Sequence, residues 1–216
     1  MTPAQVESKS YTFDEFIHWY PEDSERRYEL HDGNIIEMPK PRGQHSTLTG
    51  FLIEQLLITI RAMGQGGRWM IPRESILKPP GRNSGYEPDI IVLDQSALAL
   101  EPRWESESII QNSDSVQLIV EVVSTNWRDD YYTKFRDYEE MGVQEYWILD
   151  YAALGPRKLI GDPKQPTLFI CPLVRGEYQI IPFRADTPLA SPTFPRFSPS
   201  AQQIFTLTPW GPFPVS

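Results

Sequence analysis

Asp89, Glu121 and Lys134 are of the types that hold a divalent cation and steady negative charge on a reacting group. Glu121 stands inside LIVEVVST (118–125), an aliphatic run of the kind a strand buried on both faces shows. A carboxylate buried there without a partner costs several kcal/mol or is driven to protonate. Asp89 follows Pro88 at the start of PDIIVLD (88–94). Strand alternation puts Asp89 on one face with Ile91 and Leu93, and Glu121 with Ile119 and Val123. Two carboxylates on nearby strands can converge on a hard cation such as Mg²⁺, which takes oxygen ligands at about 2.1 Å and keeps several waters. That ion would neutralise Glu121. A second cation near the attacking water would stabilise developing negative charge. A lysine two residues beyond Glu121 would point the same way, about 6.6 Å along the strand, but Val123 stands there. The next helix supplies a candidate. At about 100° per residue, Tyr131, Phe135, Tyr138 and Met141 form an inward stripe, and Lys134 falls inside it. Arg136, Asp137, Glu139 and Glu140 fall outside. The alternative for Lys134 is a lysine snorkelling from the stripe's edge.

Both strands and the helix need a scaffold. Residues 11–23 predict a helix, with Thr12 as N-cap, Glu15 completing a capping box and Pro21 as a stop. Residues 26–38 predict two strands around Asp32-Gly33, a strong hairpin signal. A long helix is expected over 45–64, with His45, Leu48, Leu52, Leu56 and Ile60 near one face and Gly64 as its end. Residues 68–79 read as extended, interrupted at Pro72. Strands follow at 88–94, 117–124 and 144–150, with 95–115 irregular and a helix over 127–142. Beyond Asp150 prolines crowd in, and the segments 167–174 and 177–183 predict a β meander, with a last short helix over 198–205. The order is that of a mixed α/β fold. The expected organisation is a tail at 1–10, one domain over 11–205 (core 11–151, β extension 152–205) and a tail at 206–216.

The chain carries a net charge of −9 and is 40% hydrophobic, enough to bury a core but not basic as a nucleic-acid coat protein would be. Gathered metal-binding carboxylates would themselves contribute acidity. No apolar run is long enough to span a bilayer, and the N-terminus lacks a signal-peptide pattern. One cysteine, Cys171, excludes an intrachain disulfide and fits a reduced cytoplasmic setting. His18 and His31 lack partners at zinc-ligand spacing, and no phosphate-loop or nucleophile-elbow motif is present.

The pair Pro88-Asp89, then Glu121-Val122-Val123, then Lys134 on the following helix resembles the PD-(D/E)XK nuclease superfamily, in some branches of which the lysine has moved from strand to helix. More narrowly, YELHDGNII (28–36), His45 opening a helix, PDIIVLD, the block from Glu121 to Tyr151 and PTLFICPLVRGEYQ (166–179) resemble the Uma-type family of putative restriction endonucleases, over about residues 11–205. The block 121–151, with Asp130, Lys134, Tyr138, Gly142 and Tyr146-Trp147 at the family's spacing, is the specific part. Val123 is the departure from the superfamily pattern.

The resemblance implies a restriction-endonuclease-like core: a mixed central sheet flanked by helices, with a C-terminal β meander. It also implies Mg²⁺-dependent DNA cleavage, with Mn²⁺ able to substitute, by Asp89 and Glu121 as metal ligands and Lys134 at the attacking water. Glu29 would be an accessory acid and His45 a further site residue. Since one site cuts one strand, a homodimer is expected. The bland readings stay beside these. Glu29 could pair with Arg26 or Arg27 at the surface, His45 could bond locally at its helix end, and Glu87 reads as exposed. Asp130 reads as an i,i+4 partner of Lys134 that orients the helix end. Tyr146 and Trp147 read as core or interface rather than base-stacking residues. The rival function is a non-catalytic binding or scaffold module that keeps the fold; a small-molecule hydrolase using the same metal is a third.

Overall fold

The computed structural model describes residues 9–21 and 26–207. Most of both expected tails therefore lies outside the described residues.

Helix α1 (Phe13–Trp19) begins where expected, and Thr12 and Glu15 form the capping box. Phe13 and Phe16 are its buried residues and pack with Leu30 and Ile109. The hairpin β1 (Arg27–His31) and β2 (Asn34–Met38) turns at Asp32 and Gly33. Both have positive φ, 45° and 83°, the geometry that matches the twist of a two-residue hairpin. A side chain at Gly33 would also collide with Ser10, whose Oγ lies 2.1 Å from where a Cβ would stand.

Helix α2 (Gly43–Ala62) starts two residues ahead of the expected boundary and buries Leu48, Leu52, Leu56 and Ile60. The extended run around Pro72 forms only β3 (Trp69–Met70) and β4 (Ile76–Leu77). Strand β5 is Ile90–Asp94. The stretch expected to be irregular contains two one-turn helices, α3 (Gln95–Leu98) and α4 (Trp104–Glu107), and β6 (Ile109–Ile110). Strand β7 (Val116–Val122) is followed by a wide π turn at Asp129–Thr133, then α5 (Lys134–Met141), which Gly142 ends at φ 86°. Next come β8 (Glu145–Asp150), α6 (Arg157–Ile160), β9 (Thr167–Val174), β10 (Glu177–Tyr178), β11 (Ile181–Phe183) and α7 (Ala201–Phe205).

The central sheet has seven strands, ordered β10-β9-β8-β7-β5-β3, with β11 also on β9. It is mixed: β7 and β8 are parallel, β5 and β9 antiparallel to their neighbours. A parallel neighbour requires a crossover, and the π turn with α5 supplies it. Alternation sorts the side chains. Val120, Val122, Trp147 and Leu149 pack with α2 and α7 on one face. Ile91, Ile119, Val123, Tyr146 and Ile148 pack against the crossover on the other. Both faces of β7 are thus covered, as its composition implies.

Candidate active site

Glu121 lies on the crossover face of β7, between Ile119 and Val123. The antiparallel register pairs Ile90 with Val120 and Ile91 with Ile119, so one step further brings Asp89, just before β5, opposite Glu121. The backbone N–H of Val122 donates to Asp89 Oδ2 at 2.8 Å. His45, in the first turn of α2, brings Nε2 to the same oxygen at 3.3 Å.

Lys134 comes down from the first residue of α5. Its Nζ donates to Glu121 Oε1 at 3.1 Å and to Glu29 Oε1 at 2.9 Å. Tyr138, one turn on, donates its hydroxyl to Glu121 Oε1 at 2.9 Å. The Tyr86 ring lies 5.7 Å from the ammonium. Lys134 is 3% exposed, Glu121 3% and Glu29 0%, so the lysine does not snorkel.

Glu29 is not a surface partner of the nearby arginines. Its carboxylate is fully buried, on the same face of β1 as His31, while the strand edge is bridged through Leu30 to Gly85. Oε1 also accepts the N–H of Glu87 at 3.0 Å, and Oε2 meets His31 Nε2 at 2.8 Å. Arg26 turns to Glu37 and Arg27 to Glu87. Glu87 is accordingly not exposed: Tyr20 and Arg27 hold it, with its side chain only 11% exposed.

Two further acids depart from the helical-wheel reading. The buried stripe of α5 runs Lys134, Asp137, Tyr138, Met141, because the π turn shifts the register set by Tyr131. Asp137 is therefore inside, where it accepts from the Tyr86 hydroxyl at 2.6 Å and meets Arg82 and Arg136. Asp130 is buried in the π turn and lines the cleft instead of orienting an exposed helix end. Nothing short of the π turn marks either residue in the sequence. Tyr146 and Trp147 are both core, as expected.

The electrostatics follow from the crowding. Burial raises the carboxyl of Glu29, but the Lys134 ammonium and His31 outweigh it and hold it at about 2. For Glu121 burial wins over Lys134, and the charges of Asp89 and Glu29 add to it, pushing the carboxyl up to about 7. Burial likewise drives Asp130 well above the usual carboxylate range. Lys134 would lose its proton from burial alone, yet Glu121, Glu29 and Asp130 hold it charged. His45 is lowered by burial, but its bond to Asp89 raises it on balance.

The group opens into a cleft of about 310 Å³ whose walls include Asp89, Glu121, Asp130, Lys134, His45 and the loop from Pro39 to Arg42. Among the described residues, no three His, Cys, Asp or Glu side chains form a ready-made metal cluster. The donor set nevertheless suits magnesium, which binds through one or two carboxylates and retains water. The protein hydrogen bonds received by Asp89 and Glu121 fall on Oδ2 and Oε1, which leaves the second oxygen of each acid for a ligand. A buried ion cluster is seldom more stabilising than apolar packing, so stability alone is a poor reason to keep this one.

No curated protein matches the chain. A crystal structure of a putative nuclease belonging to DUF820 from Anabaena variabilis ATCC 29413 superposes with a TM-score of 0.66 at 21% identity, covering 91% of this chain and 98% of that one. The fold is thus restriction-endonuclease-like, with the mixed sheet, flanking helices and β extension described above. A family model described as "putative restriction endonuclease" matches residues 13–207. The chain therefore belongs to the Uma2 family of putative restriction endonucleases.

Proposed function

We propose that this protein is a Mg²⁺-dependent endonuclease that hydrolyses phosphodiester bonds of DNA, with Mn²⁺ able to replace Mg²⁺. The observation that carries the reading is the buried Lys134 ammonium, held between Glu29 and Glu121 at the wall of the cleft that Asp89 also lines. Asp89 and Glu121 are the residues that would hold the ion. When bound, the ion supplies positive charge against the phosphate and acidifies the attacking water. Lys134 orients the attacking water and stabilises charge as the water oxygen bonds to phosphorus and gives its proton to solvent in the cleft, while the P–O bond to the leaving sugar breaks and that oxygen takes a proton from solvent. Glu29 fixes the ammonium. His45 fixes Asp89 and, when protonated, adds a positive charge at the phosphate side of the cleft.

The same reading takes residues 11–205 as one domain working in a reduced, cytoplasmic setting, and as a homodimer because one site cuts one strand. Among the described residues no helix is long and apolar enough to cross a membrane.

The test is cleavage of supercoiled plasmid with Mg²⁺ or Mn²⁺, against an EDTA control. Wild type nicks and linearises the plasmid, and Asp89→Asn, Glu121→Gln and Lys134→Met each abolish this. Cleavage surviving in all three variants would refute the site. A wild type inert on every DNA offered would instead favour the scaffold reading. Light scattering of the same sample reads the dimer.

A further inference from the structure

Beside the cleft the chain builds a surface the proposed chemistry does not use. Ser124 and Thr125 line the cleft, and Trp127 follows two residues later, at most about 7 Å of chain away. Trp127 and Tyr132 lie 6.1 Å apart with their rings tilted at 56°. Tyr132 is 41% exposed although large and aromatic. A cation covers each ring: Arg128 at 4.5 Å over Trp127, and Lys158, from α6, at 5.1 Å over Tyr132. Neither cation makes an ion pair among the described residues, although the chain has 29 acidic side chains against 20 basic ones. Across the cleft, Lys40 and Arg42 stand exposed on its wall, likewise without an ion pair among the described residues.

We infer that Trp127, Tyr132, Arg128 and Lys158 form a stacking platform for unpaired bases, so that the preferred substrate of the cleft is DNA with a single-stranded segment beside the scissile phosphate. The inference rests on the nuclease reading. Its chemistry is that of single-strand binding sites, where aromatic faces take bases and neighbouring cations take phosphates. In the free protein the two cations sit on the rings. A strand entering the platform gives each cation a phosphate and each ring a base. Intact duplex offers the rings nothing, because its bases already stack on one another, whereas Lys40 and Arg42 can meet the phosphates of either form.

The experiment is fluorescence anisotropy in EDTA, where no cleavage occurs, with fluorescein-labelled oligothymidylate, an equally long duplex and a duplex carrying a single-stranded gap. The single strand and the gapped duplex should bind more tightly than intact duplex. Tyr132→Ala, at an exposed position, should weaken them about tenfold per stacked base lost and leave duplex binding unchanged. Trp127→Ala should do the same, and Trp127→Phe should restore most of the affinity. Equal affinity for all three DNAs, or variants that bind like wild type, would overturn the platform and leave the nuclease reading intact. No binding of any DNA would overturn the platform, while the nuclease reading stands or falls on the plasmid assay.

Discussion

Replacing Lys134 by Met removes the ammonium that sits 2.9 Å from Glu29 and 3.1 Å from Glu121 and keeps most of the side-chain volume. Both carboxylates remain in a site that water barely reaches. Removing one partner of a buried ion pair costs about 3–5 kcal/mol, because the charge left behind is uncompensated. For a chain of this size each kcal/mol lowers the melting temperature by about 2–4 °C, so the expected drop at alkaline pH is about 6–20 °C. The loss depends on pH in a defined direction. In wild type Glu29 is held at about 2, below its unfolded value. Its contribution is therefore present above about pH 4.3 and is lost as pH falls toward 2. In the variant Glu29 rises above its unfolded value and Glu121, already raised to about 7 in the wild type, rises further, so the penalty is full at high pH and fades as the acids protonate. Urea unfolding at pH 8 and pH 5 reads the difference directly. A loss below about 1 kcal/mol, the size of an exposed pair, or one equal at both pH values, would show that the ammonium is not confined between the two acids.

Two other outcomes follow from the same geometry. In EDTA, the imidazole of His45 should titrate above its ordinary value of about 6.5, and Asp89→Asn should lower it, since burial is then opposed only by the Val122 backbone and the Glu121 charge; proton NMR of the ring reads both, and a variant that titrates at or above the wild-type value would sink the pairing. By linkage, His45 stabilises the wild type below pH 6.5 and that share is lost as pH rises through the higher folded value. Tyr86→Phe deprives the buried Asp137 carboxylate of one short hydrogen bond and should cost about 1–3 kcal/mol in chemical denaturation, whereas breaking the exposed pair of Arg26 with Glu37 should leave the denaturation midpoint unchanged.

Much of the scaffold was legible because it is written locally. Thr12 and Glu15 announce a cap within four residues, Asp32-Gly33 announces its turn, and the doubly buried β7 shows itself by composition alone. The segment 167–174 matches its strand to the residue. The facing of Glu121 was legible for a related reason, since period two orients it without knowledge of its neighbours; Lys134 fell inside the wheel's inward stripe and is buried, although the π turn shifts that wheel. What local signals leave open depends on distant packing, although the family resemblance already names Glu29 for the site. Glu29 looks like a surface acid until Gly85 closes its strand edge, and its partner Lys134 lies 105 residues away. Asp137 looks exposed on a regular wheel, and only the π turn rotates it inward. The pairing of Tyr86 with Asp137 has no local signature at all.

The position of the lysine has a physical consequence. Val123 continues the β7 ladder, its N–H donating to Leu149 O at 3.0 Å, and its side chain is 1% exposed in the core under the crossover. A lysine at that position would be fixed by β7 alone, and its charge would displace apolar packing. Delivered from α5, the ammonium is fixed by three segments at once: the crossover helix that carries it, β7 through Glu121 and the hairpin through Glu29. Tyr138 reinforces the same junction one helical turn later. The site is thus complete only when α5 has docked across the sheet and the hairpin has closed against Gly85. A carboxylate that burial alone would neutralise keeps an ammonium beside it only in the assembled fold, so the charge pattern on which the proposed hydrolysis relies is itself a product of tertiary structure rather than of a single strand.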